Sequence, residues 1–543
     1  MRAIDLYAGI GGWSLGLRLA GIEVVSSYEW WQPAIDTHNG NHGGDLKPID
    51  IRQLKLADLP SDIDIVVGSP PCTEFSYANR GGRGDLAEGL KDLVKFFEVV
   101  DHLKPRFWAM ENVPRVVEVV RQGMATRGHA LYRFRHLGAE IDVFDFSEYG
   151  APQARRRCIA TNIPLDELRA FKGRAKHPTL GDVVHGLAKP RRVVDPVWGV
   201  ALSRKDLTEM EFEQPLNAEE FRMNREAKEY HPVYNNMSFP DKMDERARTV
   251  TATCTRVSRE SIVIQDPKDP TMYRRLAIRE RACLQGFPIT YQFYAKSFSE
   301  KAKMIGNAIP PTFTYLVALA AQGIKAEGFD GFEAVSGELR LPDSQAPVTR
   351  PDKEGRTYPA ARGFRAALPG LRFKSGMRFE LANGMAGDDA EWSVRFFFGS
   401  SKDIRQIKLD GSVTREMRRS PLLGSILKGM QGPFSKAERS LAVSTPAGLQ
   451  SAWTRRGEGL GPFGVVDILG SLAEEMLARL NAEMDEEECA GIAGYVLAVA
   501  GDDGQKPVGR SKLEKYALPV LVGILVGEWF NNLSWHIQHK VAA

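Results

Sequence analysis

The sequence lacks most features that would place the protein outside a reducing compartment or tie it to a metal. Its five cysteines are odd in number, widely spaced and without a CxxC pair, which argues against a disulfide framework or a zinc site. The longest apolar stretch, 517–527, is interrupted by Pro519 and is shorter than the roughly 20 residues that span a bilayer. Asp5 comes too early for the apolar core of a signal peptide. We therefore expect a cytoplasmic protein without a metal centre.

An excess of charge is also missing. The 543 residues carry a net charge of +3, with 26% charged and 43% hydrophobic residues, which is ordinary for a globular protein. A nucleic-acid-binding protein of this size would concentrate its positive charge on one face, which a whole-chain sum does not reveal. At roughly 150 residues per domain, the length predicts three or four folded units.

What is present is an alternation of strand and helix patterns over the first 160 residues. An apolar run over 3–7 leads into the glycine turn 8–12, then into helical spacing, then into a second apolar run over 24–28. This second run ends at Glu29, which lies 20 positions beyond Gly9, the spacing at which such folds bind ribose hydroxyls. A tight turn without a ligand is the alternative for the glycine run taken alone.

Three further strands are predicted, and polar residues follow each of them. The strands run over 44–49, 63–68 and 107–110, and they are followed by Asp50, by Cys72 after a Pro-Pro turn, and by Glu111 and Asn112. Because ligands bind outside the carboxyl ends of the strands in open α/β sheets, these residues are expected to line one crevice.

Cys72 is the most informative of these residues. A lone cysteine is most often a small buried hydrophobe, and that is the alternative here. A packing residue, however, would not need two consecutive prolines in front of it, and a glycine-rich polar stretch follows. The pattern therefore favours a nucleophile presented at a strand end.

Six segments, taken in order, closely resemble motifs of the DNA cytosine-5 methyltransferases. They are Asp5-Leu6-Tyr7-Ala8-Gly9-Ile10-Gly11-Gly12, Pro70-Pro71-Cys72, Glu111-Asn112-Val113, Gln153-Ala154-Arg155-Arg156-Arg157, Arg275-Leu276-Ala277-Ile278-Arg279-Glu280 with Leu284-Gln285-Gly286-Phe287-Pro288, and Gly306-Asn307-Ala308-Ile309-Pro310-Pro311. The resemblance implies an α/β fold: a Rossmann-like S-adenosylmethionine-dependent methyltransferase domain with a smaller, mixed target-recognition domain.

The resemblance also implies a set of catalytic roles. Cytosine C5 is a poor nucleophile, so the Cys72 thiolate would first add to C6 of the ring. Glu111 would supply or share a proton at N3, and Asn112 would hold the turn in shape. Arg155 and Arg157 would contact the flipped base and the phosphate backbone. The alternatives are a solvated strand-end acid for Glu111 and a solvated basic cluster for the arginines.

The cofactor implied by resemblance and chemistry together is S-adenosylmethionine. Its carboxylate would meet amides of the turn 8–12 at a helix N-terminus. Glu29 would bind the ribose, Asp50 the adenine amino group and Ile51 the adenine face. The implied cofactor residues are Tyr7, Ala8, Gly9, Gly11, Gly12, Glu29, Trp30, Asp50, Ile51, Pro71 and Asn307.

Duplex DNA is the implied substrate, with the target base flipped out of the stack. The glycine-containing loop 73–88 is predicted to close behind the base. Thr73 stands where the family usually has glutamine, which puts in doubt how this loop closes on DNA. The predicted DNA contacts are Ser76, Arg80, Arg83 and Arg256.

The resemblance implies where the catalytic and target-recognition domains lie, and composition predicts the linker and the extension. The catalytic domain is expected over 1–165 plus 297–325, the target-recognition domain over 166–296, a linker over 326–362 and an extension over 363–543. Within the recognition region, Arg248 to Thr253 alternates like a strand.

The resemblance does not cover the extension. Met377 to Leu381 and Trp392 to Phe398 alternate as strands, with a turn expected at Asn383-Gly384. The segment 468–480 carries a helical apolar stripe of the kind that is usually core. We expect an appended α+β domain that binds DNA or docks onto a subunit of a restriction or defence system.

Three other functions fit parts of the sequence. Enzymes that methylate exocyclic amino groups carry an aromatic residue after the prolines, where this chain has Cys72. The tRNA-methylating relatives lack a sizeable recognition region, whereas this chain has over 100 residues there. A DNA-binding regulator without catalysis would not need Cys72, Glu111 and Asn307 together. Methylation of cytosine C5 in DNA, by a prokaryotic or phage enzyme, is the leading prediction.

Overall fold

A computed structural model describes most of the chain and shows two compact units. The described residues are 1–71, 75, 86–210, 214–229, 237–253, 255–350, 357–373, 377–386, 389–400, 403–419, 421–442, 444–500 and 510–533. The first unit comprises Met1–Arg225 and Ser238–Asp352, and the second comprises Glu226–Met237 and Lys353–Ala543. The length had predicted three or four units.

A six-stranded mixed sheet forms the centre of the first unit. Its strands are β1 (Arg2–Leu6), β2 (Glu23–Tyr28), β3 (Ile65–Gly68), β4 (Phe107–Asn112), β5 (Glu140–Asp145) and β6 (Arg156–Thr161), in the spatial order β2-β1-β3-β4-β6-β5. The first four strands in this order are parallel, while β6 is antiparallel to both β4 and β5. The predicted α/β architecture is thereby confirmed. The carboxyl ends of the parallel strands meet at one edge, where β6 begins.

Ten helices accompany this sheet among the described residues of the first unit. They are α1 (Gly12–Leu19), α2 (Gln32–His42), α3 (Leu86–Leu103), α4 (Val116–Ala125), α5 (Leu165–Arg169), α6 (Leu180–Leu187), α7 (Ala218–Glu229), whose last turn belongs to the second unit, α8 (Ile278–Leu284), α9 (Phe298–Asn307) and α10 (Pro311–Ala321). Successive strand residues point to opposite faces, so Ile65 and Val67 enter one core while Val66 enters the other. Strands buried on both faces explain the continuous apolar runs in the sequence.

Two small antiparallel pairs complete the first unit. They are β7 (Arg192–Val194) with β8 (Ala201–Ser203), and β9 (Val263–Gln265) with β10 (Tyr273–Arg275). The predicted recognition region 166–296 does not separate as a compact unit of its own. Its role in reading sequence stays a prediction.

The second unit combines an antiparallel sheet with helices. Its strands, in spatial order, are β11 (Arg365–Arg372), β12 (Arg378–Ala386), β13 (Asp389–Ser400) and β14 (Asp403–Ile407). Its helices are α11 (Ser412–Met417), α12 (Pro421–Gly429), α13 (Gln431–Leu441), α14 (Pro446–Trp453), α15 (Pro462–Glu483), α16 (Glu486–Ala500), α17 (Arg510–Lys515) and α18 (Ala517–Asn531). The predicted stripe lies on α15, where Leu469, Leu472 and Met476 are buried.

Four local predictions were wrong. The segment 44–49 forms a single bridge, from Pro48 to Glu29, instead of a strand. Residues 248–253 are extended without strand pairing, because their hydrogen-bonding groups meet side chains such as Gln153. Asn383 and Gly384 lie inside β12, paired with β13.

The fourth wrong prediction concerns the first part of the linker over 326–362, residues 326–339. Residues Ala326–Gly328 and Phe332–Glu338 form short 3-10 helices, and Phe332 and Leu339 join the core of the first unit. The Pro and Ser residues begin at Ser336, after the buried Phe332, so their content does not describe this first part of the segment.

One helical stretch among the described residues, Phe298–Ala321, passes a length-and-composition test for a membrane span, and 94% of its apolar window is buried inside the protein.

Candidate active site

The turn after β1 is closed by a carboxylate from the end of β2. Tyr7, Gly9 and Gly11 all have positive φ angles, of 55°, 54° and 87°. Glu29 is 7% exposed and accepts hydrogen bonds from the amides of Gly9 (2.9 Å), Trp30 (2.8 Å) and Trp31 (2.9 Å). A carboxylate has about four acceptor positions, so Glu29 keeps one for an outside hydroxyl. This arrangement fits the predicted ribose contact.

A chain of hydrogen bonds supports the same turn from the opposite side. Arg18 donates to Nδ1 of His42 at 2.8 Å, and Nε2 of His42 lies 3.0 Å from the Tyr291 hydroxyl. Arginine can only donate, so Nδ1 is the acceptor and Nε2 carries the proton. The Tyr291 hydroxyl, in turn, donates to the carbonyl of Ile10. Burial lowers the pKa of His42 and so keeps its ring neutral. Only a neutral ring can accept the hydrogen bond from Arg18 at Nδ1.

Replacing Tyr291 with phenylalanine is expected to weaken cofactor binding. The change removes the hydrogen bond to Ile10 but keeps the ring, and such a bond contributes about 1 kcal/mol, or several-fold in Kd. We expect a higher KM for S-adenosylmethionine with kcat within about twofold of wild type, from initial rates. The control is Tyr294→Phe, which removes a bond to the Ser344 carbonyl instead. An equal rise in KM in both variants would contradict the prediction.

A buried acid lies beneath the turn. Asp5 is fully buried and accepts from the amide (3.2 Å) and hydroxyl (2.7 Å) of Ser14 through Oδ2, while Oδ1 has no partner among the described residues. Desolvation raises the pKa of Asp5 to about 7. The neighbouring His38 lies 3.2 Å from the Ser14 hydroxyl, and burial lowers its pKa to about 4. Both side chains are therefore predominantly neutral between about pH 4 and pH 7.

Asp5→Asn is expected to remove one pH-dependent component of stability. A folded pKa of about 7, above the usual 3.8, means that the folded state retains a proton that the unfolded state loses. The stabilising contribution is complete below pH 3.8 and is lost as the pH rises to 7. The unfolding free energy of the variant minus that of wild type should therefore rise with pH up to about 7 and then level off, in urea titrations from pH 5 to 8.

The control is Asp269→Asn. Hydrogen bonds from Thr271 lower the pKa of Asp269, so its contribution is lost only at pH values below this window. The unfolding free energy of Asp269→Asn minus that of wild type should be constant from pH 5 to 8. If the difference in unfolding free energy between Asp5→Asn and wild type were also constant over this range, the raised pKa of Asp5 would be refuted.

The turn after β3 is held by the end of β4. Asn112 is 1% exposed, and its Nδ2 donates to the Pro70 carbonyl at 3.0 Å, while its Oδ1 accepts from the amide of Val113 at 2.8 Å. The indole of Trp13 donates to the Ser69 hydroxyl at 3.0 Å. Pro70 and the exposed Pro71 are described, but Cys72 and Thr73 lie outside the described residues. The predicted role of Asn112 in shaping this turn fits these contacts.

Glu111, also at the end of β4, faces Arg157 near the start of β6. Nε of Arg157 lies 3.1 Å from Oε1 of Glu111, and the two side chains are 16% and 6% exposed. The antiparallel register, with Asn112 opposite Cys158, brings this arginine to the same sheet edge as Glu111. An acid and a cation thus lie next to the turn that precedes Cys72.

The buried thiols are poor candidates for a nucleophile. Cys158 and Cys283 are both buried, and desolvation raises the pKa of each. A neutral, inaccessible thiol is unreactive. Neither Cys158 nor Cys283 is therefore suited to the role assigned to Cys72.

Arg155 does not have the predicted role at the base or phosphate. Its side chain is 1% exposed, and its guanidinium donates to the carbonyls of Val250 (3.1 Å), Gly306 (2.9 Å) and Ala308 (3.2 Å). Arg155 connects its own segment to two others, at 250 and at 306–308. It therefore acts by positioning these segments. The sequence does not indicate this positioning role, because all three acceptors are main-chain carbonyls, which every residue type has.

Arg256 is likewise used within the protein. It forms two 2.7 Å hydrogen bonds to the carboxylate of Glu220 and donates to the carbonyls of Gln214 and Pro215 at 3.0 Å. These contacts argue against its predicted role in DNA contact. The other predicted DNA contacts, Ser76, Arg80 and Arg83, and most of the predicted closing loop lie outside the described residues.

The late motif 306–311 returns to the cofactor turn. A Cβ atom on Gly12 would lie 2.3 Å from the carbonyl oxygen of Ile309, so only glycine permits this approach. The hydroxyl of Thr314 donates to the Gly12 carbonyl at 2.8 Å. The exposed Asn307 ends α9 two residues before Ile309. The predicted return of Asn307 to the cofactor region agrees with this packing.

The remaining cofactor candidates differ in how available they are. Trp30 is 64% exposed, whereas Ile51 is buried. The carboxylate of Asp50 is exposed but caps a short helix by accepting from the Arg52 amide at 3.0 Å. The amide of Ala8 is already bonded to the Tyr28 carbonyl at 3.0 Å. A cofactor carboxylate would instead meet amides in the first turn of α1, which lack helical partners.

Sequence reasoning missed Arg52 and Asp92, which position Tyr7. The Tyr7 hydroxyl donates to Oδ1 of Asp92 at 3.2 Å, and Arg52 binds the same carboxylate at 2.9 and 2.7 Å. The residues are separated by up to 85 positions in sequence. No local pattern marks such a triad.

The first part of the chain is similar to known methyltransferases. The family model of the C-5 cytosine-specific DNA methylases matches residues 1–322. The type II methyltransferase M.HgiDI of Herpetosiphon aurantiacus is 27% identical over 332 residues, covering 59% of this chain and 94% of that protein. M.MthTI of Methanothermobacter thermautotrophicus is 28% identical over 326 residues, covering 57% and 93%. The solved Dnmt2 methyltransferase of S. pombe has a TM-score of 0.41 and 18% identity, covering 60% and 99%.

The first 322 residues are those of an S-adenosylmethionine-dependent methyltransferase. The chain belongs to the family of C-5 cytosine-specific DNA methylases, and it transfers a methyl group to C5 of cytosine in DNA. The match to C-5 cytosine-specific DNA methylases favours methylation of C5 over methylation of an exocyclic amino group. The leading prediction from sequence is confirmed.

Proposed function

We propose that Cys72 is the nucleophile of this reaction and that Glu111 is its acid partner. The proposal rests chiefly on the bond from Asn112 to the Pro70 carbonyl, which fixes the main chain two residues before Cys72. Glu111, the residue before Asn112, is buried beside Arg157. Glu111 and the segment that leads to Cys72 therefore lie at the ends of adjacent strands, β4 and β3.

The proposed reaction passes through a covalent adduct between Cys72 and the cytosine ring. The Sγ thiolate of Cys72 bonds to C6 of a flipped cytosine, the C5=C6 double bond opens, and N3 receives a hydrogen bond or proton from Glu111. When S-adenosylmethionine is bound, C5 would attack its sulfonium methyl group, the bond from sulfur to that methyl would break, and S-adenosylhomocysteine would leave. A base then removes the proton from C5, and the bond from Sγ to C6 breaks. This step restores the C5=C6 double bond and the thiolate.

Arg157 has a supporting role in this proposal. Its guanidinium is near enough to hold the Glu111 carboxyl in one orientation. It is also partly exposed and carries a positive charge at the edge where a phosphate backbone would pass. Both effects are independent of the base sequence.

For the cofactor, we propose a pocket between the turn 8–12 and the end of β2. The free acceptor position of Glu29 suits a ribose hydroxyl, while exposed Trp30 and buried Ile51 offer apolar surface to an adenine ring. Tyr7, Asp50, Pro71 and Asn307 complete the proposed set.

The covalent step can be tested by trapping. Duplex DNA with 5-fluorocytosine at its target cytosines cannot lose the fluorine from C5, so the Sγ to C6 bond should persist. We expect a complex with labelled S-adenosylmethionine that survives denaturing electrophoresis. Its absence on substrates that the enzyme methylates would refute the covalent role of a cysteine.

We propose further that the enzyme serves a restriction-modification system, because the similar relatives are named type II methyltransferases. It would act in the cytoplasm of a prokaryotic or phage-infected cell, with 166–296 reading the target. Docking of a partner subunit on 363–543 stays a prediction. Bisulfite sequencing of DNA from expressing cells should show one methylated sequence context, and methylation without context would contradict a type II role.

A further inference from the structure

Charge is strongly segregated in the second unit. Residues 404–456 contain ten lysines and arginines but only three acidic residues, whereas residues 457–488 contain nine acidic residues and one arginine. The whole chain has a net charge of only +3. The basic segment therefore stands out from a nearly neutral protein, and the family model ends before it, at residue 322.

The positive charges lie on the solvent side of α11, α12 and α13. On α11, Val413 and Met417 are buried, and on α13 the buried residues include Ala437 and Leu441. The exposed cations are Arg415, Arg418, Arg419, Lys428, Lys436 and Arg439. We refer to these six residues as the basic face.

Most of the basic face is not neutralised within the protein. Lys436 lies 3.2 Å from Glu475. In the part of the chain that the structure describes, the other five residues of the basic face have no carboxylate within ion-pair distance. Arg415 lies on α11, Arg418 caps the end of this helix and Arg419 follows it, so three exposed cations lie within five residues.

Buried contacts hold these helices in place. Glu528 on α18 is 1% exposed and accepts from the amides of Val413 (3.0 Å) and Thr414 (2.7 Å), the unpaired donors at the start of α11. Phe434 on α13 packs against Trp529, also on α18, with ring centroids 5.1 Å apart. One buried helix thus fixes the positions of two helices that carry the basic face.

We propose that the basic face binds the phosphate backbone of duplex DNA, as a second contact additional to that of the methylase part. The inference depends on the DNA substrate of this family, and charge complementarity selects the partner. A cluster of exposed cations, most of them without an ion-pair partner among the described residues, suits a polyanion with one charge per roughly 1.7 Å of helix axis. Contacts of this kind add affinity without sequence preference.

The test uses the full-length protein with Arg415, Arg418 and Arg419 all replaced by glutamine. The control carries Lys55→Gln, Arg127→Gln and Lys325→Gln, which remove three exposed charges from the first unit. Binding of a 40-base-pair duplex without a target site is measured by fluorescence anisotropy from about 50 to 200 mM salt. Each lost phosphate contact should reduce the slope of log K against log salt by about 0.9.

We expect the triple variant to bind about tenfold or more weakly near 100 mM salt, with a slope reduced by about 2 to 3. The control should keep the wild-type slope to within about 0.5. Circular dichroism verifies folding, and Lys428→Gln with Arg439→Gln provides an independent second variant. The proposal is overturned if both basic-face variants keep the wild-type salt slope. It is also overturned if the control loses as much DNA affinity and slope as the triple variant.

Methylation rates separate this proposal from the catalytic one. On a short duplex of about 14 base pairs that carries the mapped target, the triple variant should retain the wild-type kcat. Failure to trap a covalent complex would refute the role of Cys72 but would leave the salt dependence unaffected. An unchanged salt dependence with normal trapping would refute only the basic face.

Discussion

Cys72→Ser is expected to abolish covalent trapping on 5-fluorocytosine DNA and to lower methyl transfer at least about 10³-fold. A hydroxyl is far less nucleophilic than a thiolate at neutral pH, so addition to C6 becomes the limiting barrier. Affinity for duplex DNA should stay within a few-fold of wild type, because the loss is confined to the transition state. Incorporation of labelled methyl groups and denaturing electrophoresis measure the two effects.

The matched control is Cys489→Ser. Cys489 is a half-buried free cysteine on α16 in the second unit. Its replacement should leave trapping and turnover at wild-type levels. Persistent trapping in Cys72→Ser, with loss in Cys489→Ser, would reverse the assignment of the nucleophile.

Glu111→Gln is expected to lower kcat by about 10²- to 10³-fold. Glutamine keeps the shape of the side chain and can donate a hydrogen bond, but it cannot transfer a proton to N3. The melting temperature and DNA affinity should change little, because Arg157 is partly exposed and can be solvated once its partner is neutral. Single-turnover rates with saturating DNA and cofactor measure the loss at the chemical step.

Glu98→Gln provides the control for removing a carboxylate from an ion pair. Glu98 lies 2.5 Å from Arg133 on the surface, where such pairs contribute less than about 1 kcal/mol. Its kcat should match wild type. A loss for Glu111→Gln that appears entirely in melting temperature or DNA affinity would mean that Glu111 is structural.

Much of the site could be predicted from sequence because its motifs coincide with strand ends. Short apolar runs identified β1, β2, β3 and β4, and polar residues after them marked the edge of the sheet. Glu29, Glu111 and Asn112 are found there, since parallel strands bring their carboxyl ends together. The roles of these residues stay proposals, although their proximity is observed.

The errors share a physical cause. The segment 44–49 has the composition of a strand but pairs only through Pro48, and proline lacks the amide that would extend the ladder. Arg155 and Arg256 look like surface arginines in sequence. Their carbonyl and carboxylate acceptors come from segments up to 153 positions away, which no local pattern reveals.

The sequence alone indicated the reaction of this protein, through the order of its motifs, and the family match confirms that reaction. The tertiary structure alone decided which polar groups support that chemistry. The Tyr291 hydroxyl reaches the carbonyl of Ile10 across 281 positions, and Glu29 bonds the amide of Gly9. The residue type determines which reactions and hydrogen bonds a side chain is capable of. Long-range packing determines which atoms it contacts and whether water competes for those hydrogen bonds.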